Sequence, residues 1–550
     1  MPSKYILILI SFFSILSSCV RRDETQKPVE QDELSIAVIE KVDSARIAKC
    51  LEGVHISEDA SASVYRIYRE NDAQAIWTDS LGMRPQASLA ASFFWKYLSS
   101  GIIDSSIFLP GMHGLFDKCI GNQHSNPTFN DILDSEVLFT CQVVVFFESL
   151  LKVRKPSEIG QIEWYIPLRK NQLRSDLNWS SISAPEKLLE ESPAHQQVSL
   201  LLKALERLIA IEQSGGWPVI PAVRNNISLG DTSSVIVALK HRLRITGAYL
   251  SADTTNRFDK NLEDAIRKTR LSFGLTDSVL VDSILINRLN IPVSERIETV
   301  KVNLERWKWV PRDTANTMIQ VNIAAFELEV VQNRKIIKRM PAIAGDTMHH
   351  TVMFYDELQQ IVFSPYWNIP KSILAKEIWS DLPRDRGYLR RKHMEVVRGT
   401  KVIDPSVVNW RRYNANNFPY TIRQKPGNDN PLGGVKFLFP NPYSIYLHDT
   451  PNKTLFDKRI RSFSHGCIRI AEPAWLASYL LKGQQAWNAS SIDSAMKCGQ
   501  ETFVNLPSPV PVHITYFTSW VDESGMLNFR DDVYGHDLRM LQVWKPMHKK

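Results

Sequence analysis

At 550 residues, with 44% hydrophobic and 23% charged residues, the chain has the composition of an ordinary folded protein and the length of about three or four domains. Its net charge of +7 is modest for that length, and no basic run interleaved with aromatics appears, which argues against a nucleic-acid partner. The six cysteines stand at scattered spacings that give neither a metal-ligand pattern nor a dense disulfide framework.

Residues 1–19 read as a targeting segment. Lys4 supplies a short positive region, and Tyr5 to Leu16 is an apolar core too short to span a bilayer comfortably. Leu16-Ser17-Ser18-Cys19 resembles a bacterial lipobox, so cleavage before Cys19 and lipidation of its thiol are expected. A plain signal peptide or an uncleaved anchor is the alternative, and each places the rest of the chain outside the cytoplasm. Residues 20–34 are polar and charged and read as a flexible tether.

Residues 35–222 are expected to form a mainly helical scaffold. Val198, Leu201, Leu202, Leu205, Leu208 and Ile209 recur every three or four positions, one apolar helix face, stopped by Gly215-Gly216-Trp217-Pro218. Leu89 to Leu98 and Leu138 to Leu151 read the same way. Residues 229–292 hold three short helices, marked by Ile236, Leu239 and Leu243, by Leu262, Ala265 and Ile266, and by Ile284 to Leu289. With Val237 to Leu243 and Phe273-Gly274-Leu275, this stretch resembles a small peptidoglycan-binding domain; the alternative is a linker bundle without a ligand. A linker helix is expected over 293–316.

From residue 317 the period changes. Ile319, Val321 and Ile323 alternate, as do Phe326, Leu328 and Val330, with a polar turn at Gln332-Asn333-Arg334-Lys335. Residues 317–492 therefore read as a β-rich domain, and the whole chain as multi-domain α+β. Residues 371–431 form a polar insert, helical over Ser372 to Trp379 and at Tyr388 to Arg391 and loop-like elsewhere. Residues 493–550 read as an extension that docks on the scaffold or on the β-rich domain.

The chemistry concentrates in Ser462-Phe463-Ser464-His465-Gly466-Cys467-Ile468-Arg469-Ile470 and in Tyr446-Leu447-His448-Asp449 upstream. A lone cysteine is usually a small buried hydrophobe. Here two histidines, a glycine and an arginine accompany it. A cysteine attacks carbonyls as thiolate and needs a base or a positive field. Histidine suits that proton transfer near neutrality. Glycine lets the backbone turn so that amides face an oxyanion, and arginine grips a carboxylate.

Ser464-His465-Gly466-Cys467-Ile468-Arg469 resembles the signature of the YkuD-type L,D-transpeptidases, cysteine enzymes that cross-link peptidoglycan. Phe363 to Pro370, Arg423 to Gly427, Val435 to Asn441 and Ile445 to Thr450 are similar to the large periplasmic branch of that family. The resemblance implies a β-sandwich-like catalytic fold, with the insert as a capping lid. It assigns Cys467 as nucleophile and His448 as general base, with His465 the rival. Ser464, Gly466, Tyr446 and Asp449 would support them, the amides at Gly466 and Cys467 would face the oxyanion, and Arg469, Trp367 and Asn368 would touch substrate. No cofactor or metal is required. The partners implied are peptidoglycan stem peptides, a membrane reached through the lipid anchor of a Gram-negative cell, and other wall-synthesis proteins; carbapenems should acylate the same thiol.

The implied reaction is a 3→3 cross-link made through a Cys467 thioester with loss of D-Ala. Water in place of the acceptor amine would make an L,D-carboxypeptidase, and loss of activity would leave a wall-binding scaffold. One departure stands out: where the family often has Thr-Pro after Gly345, this chain has Thr351-Val352. His349-His350 is read as surface.

Overall fold

The computed structural model describes residues 41–79, 82–99, 102–103, 105–109, 128–154, 162–168, 178, 181–192, 194–223, 225–310, 315–385 and 387–547. The targeting segment, the tether, Cys19 and Cys119 lie outside them. Within the described residues no helix is long and apolar enough to cross a membrane. Two compact units emerge, one from residues 1–155, 168–217 and 292–312, the other from 156–167, 218–291 and 313–550.

The first unit is helical. Helices Pro85–Ser99, Phe129–Leu151 and Gln197–Gln213 occupy the stretches that their apolar spacing marks. Phe129–Leu151 opens on a reciprocal cap between Thr128 and Asp131. Glu136 is fully buried on it, yet its carboxylate accepts the Ile76 and Trp77 amides at 2.8 Å and the Tyr68 hydroxyl at 2.9 Å. Those bonds are what make a buried carboxylate tolerable there. The linker expected over 293–316 differs in role: helix Val293–Trp309 packs along Gln197–Gln213 and buries Ile297, Val300, Leu304 and Trp307 inside this unit. Cys50 and Cys141 are buried free thiols here, and desolvation pushes both up to about 12, so neither is reactive.

In the second unit, helices Ser234–Ile245, Lys260–Ser272 and Ser283–Leu289 form the small bundle, capped by Ser233, Asp259 and Asp282. Ile236, Leu239, Leu243, Leu262, Ile266 and Leu285 make its core. Lys240 is 1% exposed, with its ammonium against Asp253 at 2.7 Å, Asp259 at 2.8 Å and the Arg257 carbonyl at 2.7 Å. The buried cation thus ties three stretches of the bundle together. Lys240→Met is expected to destabilise the bundle by about 2–3 kcal/mol, because two carboxylates lose their counter-charge; urea unfolding followed by tryptophan-independent far-ultraviolet dichroism would read the loss.

The β-rich portion is built from strands β1 (Thr317–Asn322), β2 (Glu327–Gln332), β3 (Lys335–Gly345), β4 (Phe354–Phe363), β5 (Trp367–Asn368), β6 (Met394–Arg398), β7 (Lys401–Ile403), β8 (Thr421–Gln424), β9 (Val435–Leu438), β10 (Leu447–His448), β11 (Ser462–Ser464), β12 (Ile468–Ile470) and β13 (Thr502–Thr515). Asn333 and Arg334 both have positive φ, as the tight β2–β3 hairpin requires. The main sheet runs β11-β3-β12-β10-β9-β4-β13-β1-β2, and β2 pairs back onto β3. Eight strands thus form a closed circuit, with β11 attached at the end of β3, so the β-rich domain expected from residue 317 is built on one continuous sheet.

Two expectations change. The insert is not only helix and loop. It carries its own antiparallel sheet, β5-β8-β6-β7, over a separate core of Ile369, Ile373, Leu374, Val396, Phe418 and Ile422. Its strands are two to five residues long, too short for period-two patterning to show. The extension beyond residue 493 is not peripheral either, because β13 lies between β4 and β1 inside the sheet. Past it, Asp531 is held by Arg459 and by Arg288 of the small bundle, while Arg530 donates to the Ser272 carbonyl at 2.9 Å. The C-terminal segment thus completes the sheet and fastens the bundle to it.

Candidate active site

The site forms where β10 lies between β9 and β12. His448 pairs with Lys436 on β9 and with Arg469 on β12, so an imidazole sits in a row between two cations. It is 4% exposed. Its Nδ1 lies 2.5 Å from the Asp449 carbonyl, which can only accept, so the proton is on Nδ1 and the lone pair on Nε2. Burial, then Arg469 and Lys436, push the His448 pKa down to about 3 against the pull of that carbonyl. The resting imidazole is neutral.

That shift makes a pH prediction. The unfolded chain takes up a proton on this histidine near 6.5, while the folded one does so only near 3. Stability contributed by the neutral ring is therefore full above 6.5 and is lost as pH falls toward 3. Between pH 6.5 and 4.5 the wild type is expected to lose about 2 kcal/mol more than His448→Gln does, read from denaturant midpoints at the two pH values.

Cys467 stands in the turn between β11 and β12. Gly466 adopts φ +110°, which no other residue takes without strain. The Ser464 hydroxyl donates to the Cys467 carbonyl at 2.5 Å and accepts the Gly466 amide at 3.2 Å. From the other side the Thr351 hydroxyl donates to the Gly466 carbonyl at 2.8 Å and accepts the Gly345 amide at 2.9 Å. Tyr534 closes the clamp by donating to the Gly345 carbonyl at 2.6 Å. Gly345 itself has no room for a Cβ, which would lie 2.0 Å from the His349 carbonyl.

The thiol is half-buried. Its Sγ lies 3.6 Å from the carbonyl of Ser444, a residue in the left-handed region at φ +56°. Burial raises its pKa, opposed by the backbone N–H and hydroxyl of Tyr446 and then by Arg469. The Tyr446 ring lies 5.6 Å from that of His448. Among the described residues, the thiol's bonds run to Ser444 and Tyr446 rather than to an imidazole. At rest the pair is therefore a neutral thiol and a neutral imidazole.

The other candidates divide. Asp449 does not orient His448 with its carboxylate, which takes the Gly434 amide at 2.9 Å and the Lys453 ammonium; its backbone carbonyl does that work. His465 Nε2 lies 3.0 Å from Glu377 Oε1 of the insert. The Gly466 amide is occupied by Ser464, which removes it as an oxyanion donor and leaves the Cys467 amide. Trp367 and Asn368 lie on β5, paired with Gln424 and Arg423 of β8. Arg469 sits beside the site with a buried Nε that finds no acceptor. Burial lowers its pKa, and among the described residues it forms no ion pair.

Sequence reasoning missed Thr351, Tyr534 and Lys436, which the fold brings in from β3–β4, the C-terminus and β9. The Thr351-Val352 departure was their one visible trace. His349 and His350 are half-buried rather than surface residues: His349 packs on His465 at 4.7 Å, and His350 stacks on Tyr534 at 4.1 Å. No cluster of three metal-binding side chains occurs among the described residues.

Residues 316–488 match the family model of the YkuD L,D-transpeptidase catalytic domain. A Haemophilus influenzae protein named "Putative L,D-transpeptidase" is 27% identical over 374 residues, covering 65% of this chain and 75% of that protein. Solved L,D-transpeptidase structures from Xylanimonas cellulosilytica and Stackebrandtia nassauensis each align with 54% of this chain at 11% identity, covering 99% and 96% of those chains, with TM-scores of 0.17 and 0.21. The family model spans the insert, the His448 strand and the thiol turn, so it is over residues 316–488 that this chain is similar to YkuD L,D-transpeptidase catalytic domains.

Proposed function

We propose that this protein is a cell-envelope L,D-transpeptidase that makes 3→3 cross-links between peptidoglycan stems through a Cys467 thioester. The observation that supports it most directly is the Cys467 turn. A thiol is held on a clamped loop, with the Cys467 amide free and the Tyr446 hydroxyl facing the sulfur. That is a nucleophile with oxyanion donors beside it.

The steps follow from the charges. His448 Nε2 takes the Cys467 proton as sulfur attacks the carbonyl of the third stem residue. The Cys467 amide and Tyr446 hydroxyl stabilise the oxyanion. The bond to D-Ala breaks, and the proton on His448 passes to the leaving amine. An amine of a second stem then attacks the thioester, gives its proton to His448, and releases the thiol. Arg469 meets a carboxylate of the donor stem. That anion also offsets the cation that depresses His448, so a bound substrate makes the imidazole a better base. Lipidation at Cys19 would hold the enzyme at a membrane, and the bundle at 229–292 would bind the wall.

The test is to incubate the full chain with disaccharide-tetrapeptide and to follow products by mass spectrometry. A dimer lighter by one alanine is expected. Tripeptide without dimer would make the protein an L,D-carboxypeptidase. A folded protein that changes neither substrate nor product would be a scaffold.

A further inference from the structure

We propose that Glu377 of the insert, with Lys376 beside it, determines how the thioester is divided between an acceptor amine and water, by latching the insert onto the nucleophile turn. This rests on the transpeptidase reading above.

The insert has its own sheet and its own core, so it holds its shape apart from the main sheet. Near the thiol the π-helical turn Leu374–Ile378 of the insert reaches the loops that carry His465 and His349. Such turns re-aim side chains and recur at functional positions. Here it sends two adjacent side chains of opposite charge to two loops. Glu377 Oε1 lies 3.0 Å from His465 Nε2, on the β11–β12 turn two residues before Cys467. Lys376 Nζ lies 3.5 Å from His349 Nε2, on the β3–β4 loop. His349 Nδ1 in turn lies 3.0 Å from Asp346 Oδ1, and the His349 and His465 rings pack at 4.7 Å. The groups facing one another are thus Asp346, His349, Lys376, Glu377 and His465, each carboxylate beside an imidazole and the Lys376 ammonium beside the Nε2 of His349.

The two loops so joined are the ones the Thr351 clamp ties at Gly345 and Gly466. The latch therefore fixes the insert against the same turn that carries the nucleophile. His465 and Glu377 keep 42% and 51% of their side-chain surface exposed. Solvent-exposed pairs of this kind shift an equilibrium by about fivefold at most, so the latch closes readily and opens readily. Hydrolysis needs only that water reach the thioester carbonyl: the C–S bond breaks, tripeptide acid leaves, and the thiol regains its proton. A closed insert slows that route while a bound acceptor amine is already in place.

The experiment uses the full chain with Glu377→Gln, and separately with Lys376→Gln, both on exposed side chains. Two quantities are read. The first is the rate at which iodoacetamide alkylates Cys467, with the exposed Cys498 of the same molecule as internal standard. The second is the ratio of tripeptide to dimer from disaccharide-tetrapeptide. The proposal expects alkylation of Cys467 to quicken about threefold relative to Cys498, and the tripeptide-to-dimer ratio to rise by about the same factor. Unchanged alkylation overturns the latch whatever the enzyme makes. Faster alkylation with an unchanged ratio overturns its role in partition. A wild type that forms no Cys467-dependent product overturns the transpeptidase reading, and with it the partition, while the alkylation result still judges the latch.

Discussion

Cys467→Ala is expected to form neither dimer nor tripeptide from disaccharide-tetrapeptide, with a loss of about 10⁴-fold or more, because among the described residues no other free thiol lies at the turn. Cys50 and Cys141 are buried and protonated, and Cys498 lies outside the site. Stability should move little, since the thiol makes only weak sulfur hydrogen bonds with Ser444 and Tyr446 and the clamp does not involve it. His448→Gln should retain more, about 10²–10³-fold below wild type, because general-base help is worth less than the nucleophile. Equal losses in both variants would point to a pair that acts only as a unit. An undiminished rate in Cys467→Ala would remove the mechanism altogether.

Arg469→Met should become more stable while losing about 10²-fold in kcat/KM. A guanidinium with a sealed Nε and no ion pair is destabilising in the free enzyme, and an apolar chain of similar length fills the same space without that penalty. A charge-assisted bond to a substrate carboxylate is worth roughly 10–10²-fold in rate. Denaturant midpoints and initial rates on the same preparation check both signs. The variant should also raise the pKa of both Cys467 and His448, because the Arg469 charge lowers each of them. The sign identifies the role: an arginine that merely braced the turn would lower stability when removed.

The helices with a clean apolar stripe, such as Gln197–Gln213, were legible from spacing, and so were the β1 to β3 strands. The thiol turn was legible because Gly466, Cys467 and Ser464 act within one short string. What could not be read was anything that depends on which distant segments meet. Thr351 and Tyr534 reach the turn from separate parts of the chain. Glu377 and His465 are both ordinary surface residue types until the insert places them together. Asp449 shows a subtler limit: the residue beside His448 does orient it, but with its backbone, which no side-chain pattern reveals.

The position of β13 has a consequence for truncation. Cys467 and His448 precede in the chain the strand that lies between β4 and β1, and Tyr534 comes later still. A chain ending at residue 500 would carry the whole signature string without β13 or Tyr534, and it is expected to be inert.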